Sequence, residues 1–186
     1  MASKSPSTKS PSTTMLSLDK EAIRRARNHL ESGAVTPSVQ PYAKAICKLL
    51  NDALATEWIC VLRYRRHFFT ATGLASPAVA AEFLVHANEE MAHADRLAER
   101  IVQLGGEPLL DPATFAARSH AEYDDSTDLG SMIRANLVAE RVAVEVYRQM
   151  IQIIGDKDPT TKALLQDLLA DEEEHADELS DWLEKS

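Results

Sequence analysis

Apolar residues recur at intervals of three and four along four long segments of the chain, which is the spacing of one helix face. The glycines and prolines fall outside these segments or within three residues of their ends, where helices start and stop. The pattern predicts an all-α protein. Its four long helices are expected at residues 40–71, 77–104, 128–155 and 159–184, after a short helix at residues 16–32 that Ser17 begins and Gly33 ends.

The connections between the four long helices differ greatly in length. Gly73 and Pro77 separate the first pair, and the stretch GDKDP at 155–159 separates the last pair. Residues 105–127 form a much longer connection, which can cross the full length of a helical bundle. We therefore predict two helical hairpins that a long crossover joins between helices two and three.

Charged residues interrupt each apolar stripe near its middle. The first and third helices carry a single glutamate there, whereas the second and fourth carry Glu-x-x-His, whose two members share a helix face. The interrupting residues are Glu57, Glu90 with His93, Glu140, and Glu172 with His175. If the helices align, these six side chains converge in the core of the bundle.

A group of buried carboxylates needs compensating charge. Removing one partner of a buried ion pair costs about 3–5 kcal/mol, so four uncompensated carboxylates would be far more costly. Two divalent cations would supply four positive charges against the four glutamates, with both histidines neutral. The sequence therefore favours a two-metal site over one metal or none.

The same arrangement occurs twice along the chain. A glutamate and a tyrosine lie seven residues apart in the first helix (Glu57, Tyr64) and in the third (Glu140, Tyr147). The step from each of these glutamates to the glutamate of the following helix is 33 residues in one hairpin and 32 in the other. This repetition predicts two equivalent hairpins related by a pseudo-twofold axis.

Composition and charge narrow the function further. Two cysteines are too few for a disulfide framework or a four-thiolate site, and a net charge of −9 argues against DNA as a partner. The chain contains no apolar run long enough to span a bilayer and no secretory signal at its start, so we expect a cytoplasmic protein without a membrane partner.

Three regions follow from the pattern. Residues 1–15 repeat the letters KSPST and contain almost no apolar residue, so we predict a disordered Ser/Thr/Pro/Lys tail. Residues 16–41 read as the short helix and a proline-containing linker. Residues 42–186 read as the four-helix bundle with the metal site.

The stretches LNDALATEW, EEMAHADRLAERI, LVAERVAVEVY and DEEEHADEL resemble the bacterioferritins and the Dps-like members of the ferritin superfamily. The resemblance covers roughly residues 46–183 and implies a ferritin-like four-helix bundle. It implies a ferroxidase that oxidises Fe²⁺ with O₂ or H₂O₂ at a di-iron centre within one subunit, for iron storage or detoxification.

The resemblance also implies residue roles. It assigns two iron ions per subunit, with manganese as the alternative metal, to the six residues that interrupt the stripes. Glu90 and Glu172 would bridge the metals, Glu57 and Glu140 would be terminal ligands, and each histidine would complete one iron. Tyr64 and Tyr147 fit outer positions that orient the ligands by hydrogen bonds.

Haem and assembly are further implications of the family. Met91 follows Glu90 directly, the position from which bacterioferritins bind haem b, although a methionine is also an ordinary packing residue. The chain ends eleven residues after His175, without the fifth helix that the 24-subunit bacterioferritin cage uses. We therefore expect a homo-oligomeric shell of twelve subunits rather than 24.

Two other functions remain open at this stage. One is a rubrerythrin-like peroxidase or a di-manganese catalase that stores no mineral, and the other is a Dps-type protein that protects DNA. Among residues off the stripes, we interpret His86 as an ordinary core or channel histidine and Glu89, Glu173 and Glu174 as surface charges. Cys47 and Cys60 are expected to be buried free thiols.

Overall fold

The computed structural model describes residues 17–73 and 76–184, and within these ranges the regular structure is entirely helical. The predicted tail at residues 1–15 lies outside the described residues. The helices are α1 (Lys20–Arg25), α2 (Gln40–Thr70), α3 (Ser76–Gln103), α4 (Phe115–Arg118), α5 (Leu129–Ile154) and α6 (Pro159–Glu184). No helix in the described part of the chain is long and apolar enough to cross a membrane.

The four long helices form two hairpins. Helix α2 packs along α3, and α5 packs along α6, while α2 against α5 and α3 against α6 complete the bundle. The predicted all-α bundle with a long crossover between its second and third long helices is therefore confirmed. The bounds of α2 and α6 agree with the predicted ranges to within one residue.

One apolar layer lies on each side of the middle of the bundle. The larger layer surrounds Leu50, Leu97 and Leu165, and the smaller one surrounds Phe83 and Leu179. All five of these side chains are fully buried. Since apolar contacts hold the helices together above and below, the polar residues between the layers are fixed in a defined place without having to stabilise the fold.

The crossover is tied to α2 along its length. The side chain of Asn51 accepts a hydrogen bond from the backbone N–H of Leu109 at 2.7 Å, and Thr56 accepts one from the N–H of His120 at 3.0 Å. Further along, the buried guanidinium of Arg63 donates to the carbonyl of Glu122 at 3.1 Å. The crossover also contains α4, a short helix that the sequence did not reveal, which packs on α2.

The crossover passes close to α2 at Gly106. A Cβ atom at this position would lie 2.7 Å from Sγ of Cys47, so only a glycine allows the crossover to leave α3 along this path. The predicted glycine break after the second long helix therefore has a steric cause as well as a conformational one.

The prediction of a single helix over residues 16–32 is wrong. Helix α1 covers only Lys20–Arg25, and Asp19 rather than Ser17 caps it, because the Asp19 carboxylate accepts hydrogen bonds from the first-turn amides. His29 then takes a left-handed backbone conformation with φ of 57°, before a separate 3₁₀ turn at Leu30–Ser32. Neither α1 nor the 3₁₀ turn contains a buried residue, so no tertiary packing stabilises a continuous helix through this segment.

A buried ion pair joins the two hairpins at one end of the bundle. Asp158, at the start of α6, accepts two hydrogen bonds from Arg100 of α3 at 2.8 and 2.9 Å, and Thr161 donates to the same carboxylate. Burial opposes the ionised form of Asp158, but the hydrogen bonds from Thr161 and Arg100 hold its pKa below the ordinary value.

The substitution Asp158→Ala should destabilise the protein by roughly 3–5 kcal/mol, because it leaves the Arg100 guanidinium buried without its partner. The free energy of unfolding in urea, followed by circular dichroism, measures the effect. Since the pKa of Asp158 is lowered in the folded state, the ion pair stabilises the protein above the ordinary aspartate pKa and loses its effect as the pH falls. The difference between wild type and variant should therefore shrink in acid.

The matched control is Asp156→Ala. Asp156 is fully exposed, and its side chain lies 3.5 Å from the Lys162 ammonium, so the loss of this ion pair should change the stability very little. Equal losses of stability in the two variants would contradict the structural role assigned to Asp158.

Candidate dinuclear metal site

All six residues that interrupt the apolar stripes meet in the middle of the bundle. Each is at least 96% buried, and together they form two overlapping groups whose nitrogen and oxygen atoms lie within 4.8 Å of one another. One group is Glu57, Glu90, His93 and Glu172, and the other is Glu90, Glu140, Glu172 and His175. Glu90 and Glu172 belong to both groups, so the site has two halves that share two carboxylates.

Each tyrosine of the repeated pattern contacts a glutamate of the opposite hairpin. Tyr64 of α2 donates its hydroxyl hydrogen to Glu140 of α5, and Tyr147 of α5 donates to Glu57 of α2. Burial raises the pKa of both phenols well above the ordinary value, and the nearby carboxylates raise it further, so both hydroxyls stay protonated and act as donors. These bonds fix the orientation of Glu57 and Glu140.

The two histidines share one arrangement. In each ring, Nδ1 faces the buried carboxylates, at 3.1 Å from Glu172 for His93 and 3.6 Å from Glu90 for His175. The opposite nitrogen, Nε2, contacts a carboxylate near the surface. That partner is Asp171 for His93, at 3.2 Å, and Glu89 for His175, at 2.9 Å.

Sequence reasoning missed these outer carboxylates. Glu89 is half exposed, in agreement with its interpretation as a surface charge, but its carboxylate also fixes the ring of His175. The sequence does not identify Asp171, which lies just beside the apolar stripe, because its contact with His93 depends on how α3 packs against α6. Glu173 and Glu174 are exposed, in agreement with their interpretation.

Several buried oxygen and nitrogen atoms of the pocket lack a hydrogen-bond partner. Within the described structure, one oxygen of each of the four glutamates has no hydrogen-bond partner, and neither has Nδ1 of His175. Buried polar atoms in folded proteins are nearly always satisfied. Four free carboxylate oxygens directed into one pocket, with imidazole nitrogens beside them, fit two cations, since both carboxylate and imidazole bind divalent iron and manganese.

Protons can balance the charge of this pocket when cations do not. Burial raises the pKa of Glu57 well above the ordinary value, and Glu90 raises it further. Burial does the same for Glu140, with Glu90 and Glu172 adding to it. For Glu90 and Glu172 burial also favours the neutral form, but hydrogen bonds with their neighbours, both histidines included, lower their pKa values.

The pKa values of the two histidines shift in the direction that favours their charged forms. Burial lowers their pKa values, but the surrounding carboxylates outweigh it, raising the pKa of His175 to about 12 and that of His93 well above its ordinary value. Two protonated glutamates, two ionised glutamates and two imidazolium rings sum to zero charge. Protons and divalent cations are therefore alternative ways of neutralising the same side chains.

Comparison with known proteins places the chain in a family. The Ferritin-like domain family matches residues 47–186, so the chain belongs to this family of four-helix proteins. It is 32% identical to the DNA protection during starvation protein of Pyrococcus furiosus, over 70% of this chain and 72% of that protein. It is 28% identical to the bacterioferritin of Mycobacterium bovis, over 75% of this chain and 84% of the relative.

Solved structures agree with this assignment. The dodecameric thioferritin of Bacteroides fragilis, a bacterioferritin-related protein, superposes with a TM-score of 0.74 and 31% identity, covering 90% of this chain and 94% of that one. The predicted resemblance to bacterioferritins and Dps-like proteins is thereby confirmed.

Met91 and the two cysteines lie outside the pocket. Met91 is partly buried on α3, and haem binding there stays a prediction. Both cysteines are buried free thiols, as expected. Burial raises the pKa of Cys60 well above the ordinary value despite the nearby Arg63 guanidinium, so its sulfur remains an unreactive thiol.

Binding of two divalent cations to this pocket should release about four protons at neutral pH, one each from Glu57, Glu140, His93 and His175. Calorimetric titration with Zn²⁺ in two buffers of different ionisation enthalpy measures the number. Because cations and protons compete, the apparent affinity should rise as the pH rises. Binding that releases no protons, or that strengthens in acid, would contradict the charge balance described above.

Proposed function

We propose that the protein is a ferroxidase, which oxidises Fe²⁺ to Fe³⁺ with O₂ or H₂O₂ and serves iron storage or detoxification. The observation that carries the proposal is the pair of overlapping donor sets that share Glu90 and Glu172. The names of the relatives support it, since they include bacterioferritins.

The donor sets suggest a role for each residue. Glu57 and His93 serve one Fe²⁺ ion, Glu140 and His175 serve the other, and the two shared glutamates contact both. Carboxylate oxygens favour the higher charge of Fe³⁺, whereas the imidazoles suit Fe²⁺, so the mixed set tolerates both oxidation states. Tyr64 and Tyr147 orient the two unshared glutamates, and Glu89 and Asp171 orient the rings.

Iron acts here as the substrate. Two Fe²⁺ ions lose one electron each, and the two electrons reduce O₂ with two protons to H₂O₂, or reduce H₂O₂ with two protons to two water molecules. The chain holds the two ions close together, so that both electrons reach one oxidant. The buried tyrosines and apolar layers limit access of bulk water to the pocket.

A shell of twelve subunits is part of the proposal. The structural relative from Bacteroides fragilis is dodecameric, at 31% identity over most of both chains. A hollow particle separates storage from the alternative of a peroxidase or di-manganese catalase, which needs no mineral cavity. Particle mass near twelve chains supports storage, and monomers or dimers would favour the alternative.

Protection of DNA is the second candidate function, because the Pyrococcus furiosus relative carries that name. Against it, the chain has a net charge of −9, which repels a phosphate backbone. DNA binding by the intact protein would therefore depend on the basic residues of the segment 1–15.

Replacing Glu90 or Glu172 with alanine should slow aerobic Fe²⁺ oxidation by at least about 100-fold, because loss of even an outer partner of a metal ligand costs 10–100-fold. Stopped-flow absorbance of Fe³⁺ formation measures the rate, and circular dichroism checks that the helices persist. The matched control is Glu99→Ala, an exposed glutamate on α3. Unchanged oxidation by the Glu90 and Glu172 variants would overturn the assignment of this pocket.

A further inference from the structure

A second cluster of glutamate, aspartate and histidine side chains lies between α3 and α6, beside the dinuclear pocket. It surrounds a cavity of about 200 Å³ that opens to the surface and is lined by five acidic residues together with His86 and His175. The acidic residues are Glu82, Glu89, Asp171, Glu174 and Glu178. Glu89 and Asp171 already contact ligand histidines, whereas Glu82, His86 and Glu178 take no part in the function proposed above.

His86 is the unusual member of this cluster. It is 99% buried, and its ring stacks on His175 with the ring centres 4.2 Å apart and the planes 20° from parallel. Its Nδ1 lies 3.1 Å from the hydroxyl oxygen of Tyr64, and its Nε2 lies 3.0 Å from a carboxylate oxygen of Glu178. The ring is thus held between the buried pocket and the outer cavity.

The hydrogen bonds of Tyr64 fix which nitrogen of His86 carries hydrogen. Tyr64 has a single hydroxyl hydrogen, which it donates to Glu140, so its oxygen must accept a hydrogen from Nδ1 of His86. In the neutral ring, Nε2 then presents a bare lone pair towards the carboxylate of Glu178. A proton on Nε2, or a metal cation bound to both atoms, would remove the repulsion between these two acceptors, which lie 3.0 Å apart.

A third donor completes the set. Glu82 lies one turn before His86 on α3, and donor atoms of Glu82, His86 and Glu178 all lie within 4.8 Å of one another. We propose that these three residues form a third cation site, separate from the dinuclear one, which binds a divalent transition-metal ion through one imidazole nitrogen and two carboxylates. This donor set suits Fe²⁺, Co²⁺, Zn²⁺ or Mn²⁺.

The position of this site gives it a role, which rests on the ferroxidase function proposed above. The stacked ring of His175 separates the third site from the dinuclear pocket, towards which it directs its Nδ1. The five acids of the cavity concentrate cations from solution, as a cleft lined by one sign of charge does. The third site therefore holds Fe²⁺ next to the dinuclear pocket and loads it.

Counting bound Co²⁺ per chain tests the site without any turnover. Equilibrium dialysis against Co²⁺ should give three ions per chain for the wild type and two for Glu178→Gln and for Glu82→Gln, whose side chains lie near the surface and can change without unfolding the bundle. The matched control Glu174→Gln lines the same cavity outside the donor set and should keep three. Two ions in the wild type, or three in both donor variants, would overturn the site.

A variant of the dinuclear pocket tests the third site independently of the proposed ferroxidase function. Glu90→Gln together with Glu140→Gln should lose the two inner ions and keep the third, whose donors it leaves intact. Three ions bound by a wild-type protein that does not oxidise Fe²⁺ would support the third site and refute the ferroxidase function. Loss of all three ions in a helical, folded double variant would show that the outer residues bind no metal independently, and would refute the site.

Kinetics then test the loading role. In Glu178→Gln, oxidation at low Fe²⁺ should slow about tenfold, at the lower end of the effect of a charged cleft on association. The rate at saturating Fe²⁺ should stay unchanged, because the inner ligands are intact. A lower saturating rate with an unchanged half-saturating concentration would contradict a loading site.

Discussion

The burial of four carboxylates in the centre of a helical bundle is the constraint on which the rest of the structure depends. Such a group is stable only if positive charge lies among its members, whether as metal ions or as bound protons. The free oxygens of Glu57, Glu90, Glu140 and Glu172 share one pocket, and the imidazole of His175 completes it. Apolar layers on both sides supply the stability that this polar layer does not.

The two hairpins depend on each other for the site. Tyr64 and Glu57 lie on α2, but their hydrogen-bond partners Glu140 and Tyr147 lie on α5. Neither hairpin alone could orient its own glutamate. The long crossover, bonded to α2 along its course, brings the second hairpin into the antiparallel position in which the repeated spacing of Glu and Tyr becomes a pair of reciprocal contacts.

Much of the fold could be predicted from the sequence, because the apolar stripes and the prolines and glycines between them mark the long helices. The convergence of Glu90 and Glu172 followed from their places in those stripes. The outer carboxylate of Asp171 and the tautomer of His86 could not be predicted, since both depend on distances between helices. The break at His29 could not be predicted, because this segment has no buried residues and therefore no apolar pattern that marks where a helix ends.

A crystal of the protein grown with Fe²⁺ under exclusion of oxygen gives the most direct test of the dinuclear site. The anomalous difference map at the iron edge should show two ions about 3.5–4 Å apart, both contacted by Glu90 and Glu172. One inner ion, or none, with the same side chains hydrogen-bonded only to each other, would contradict the account.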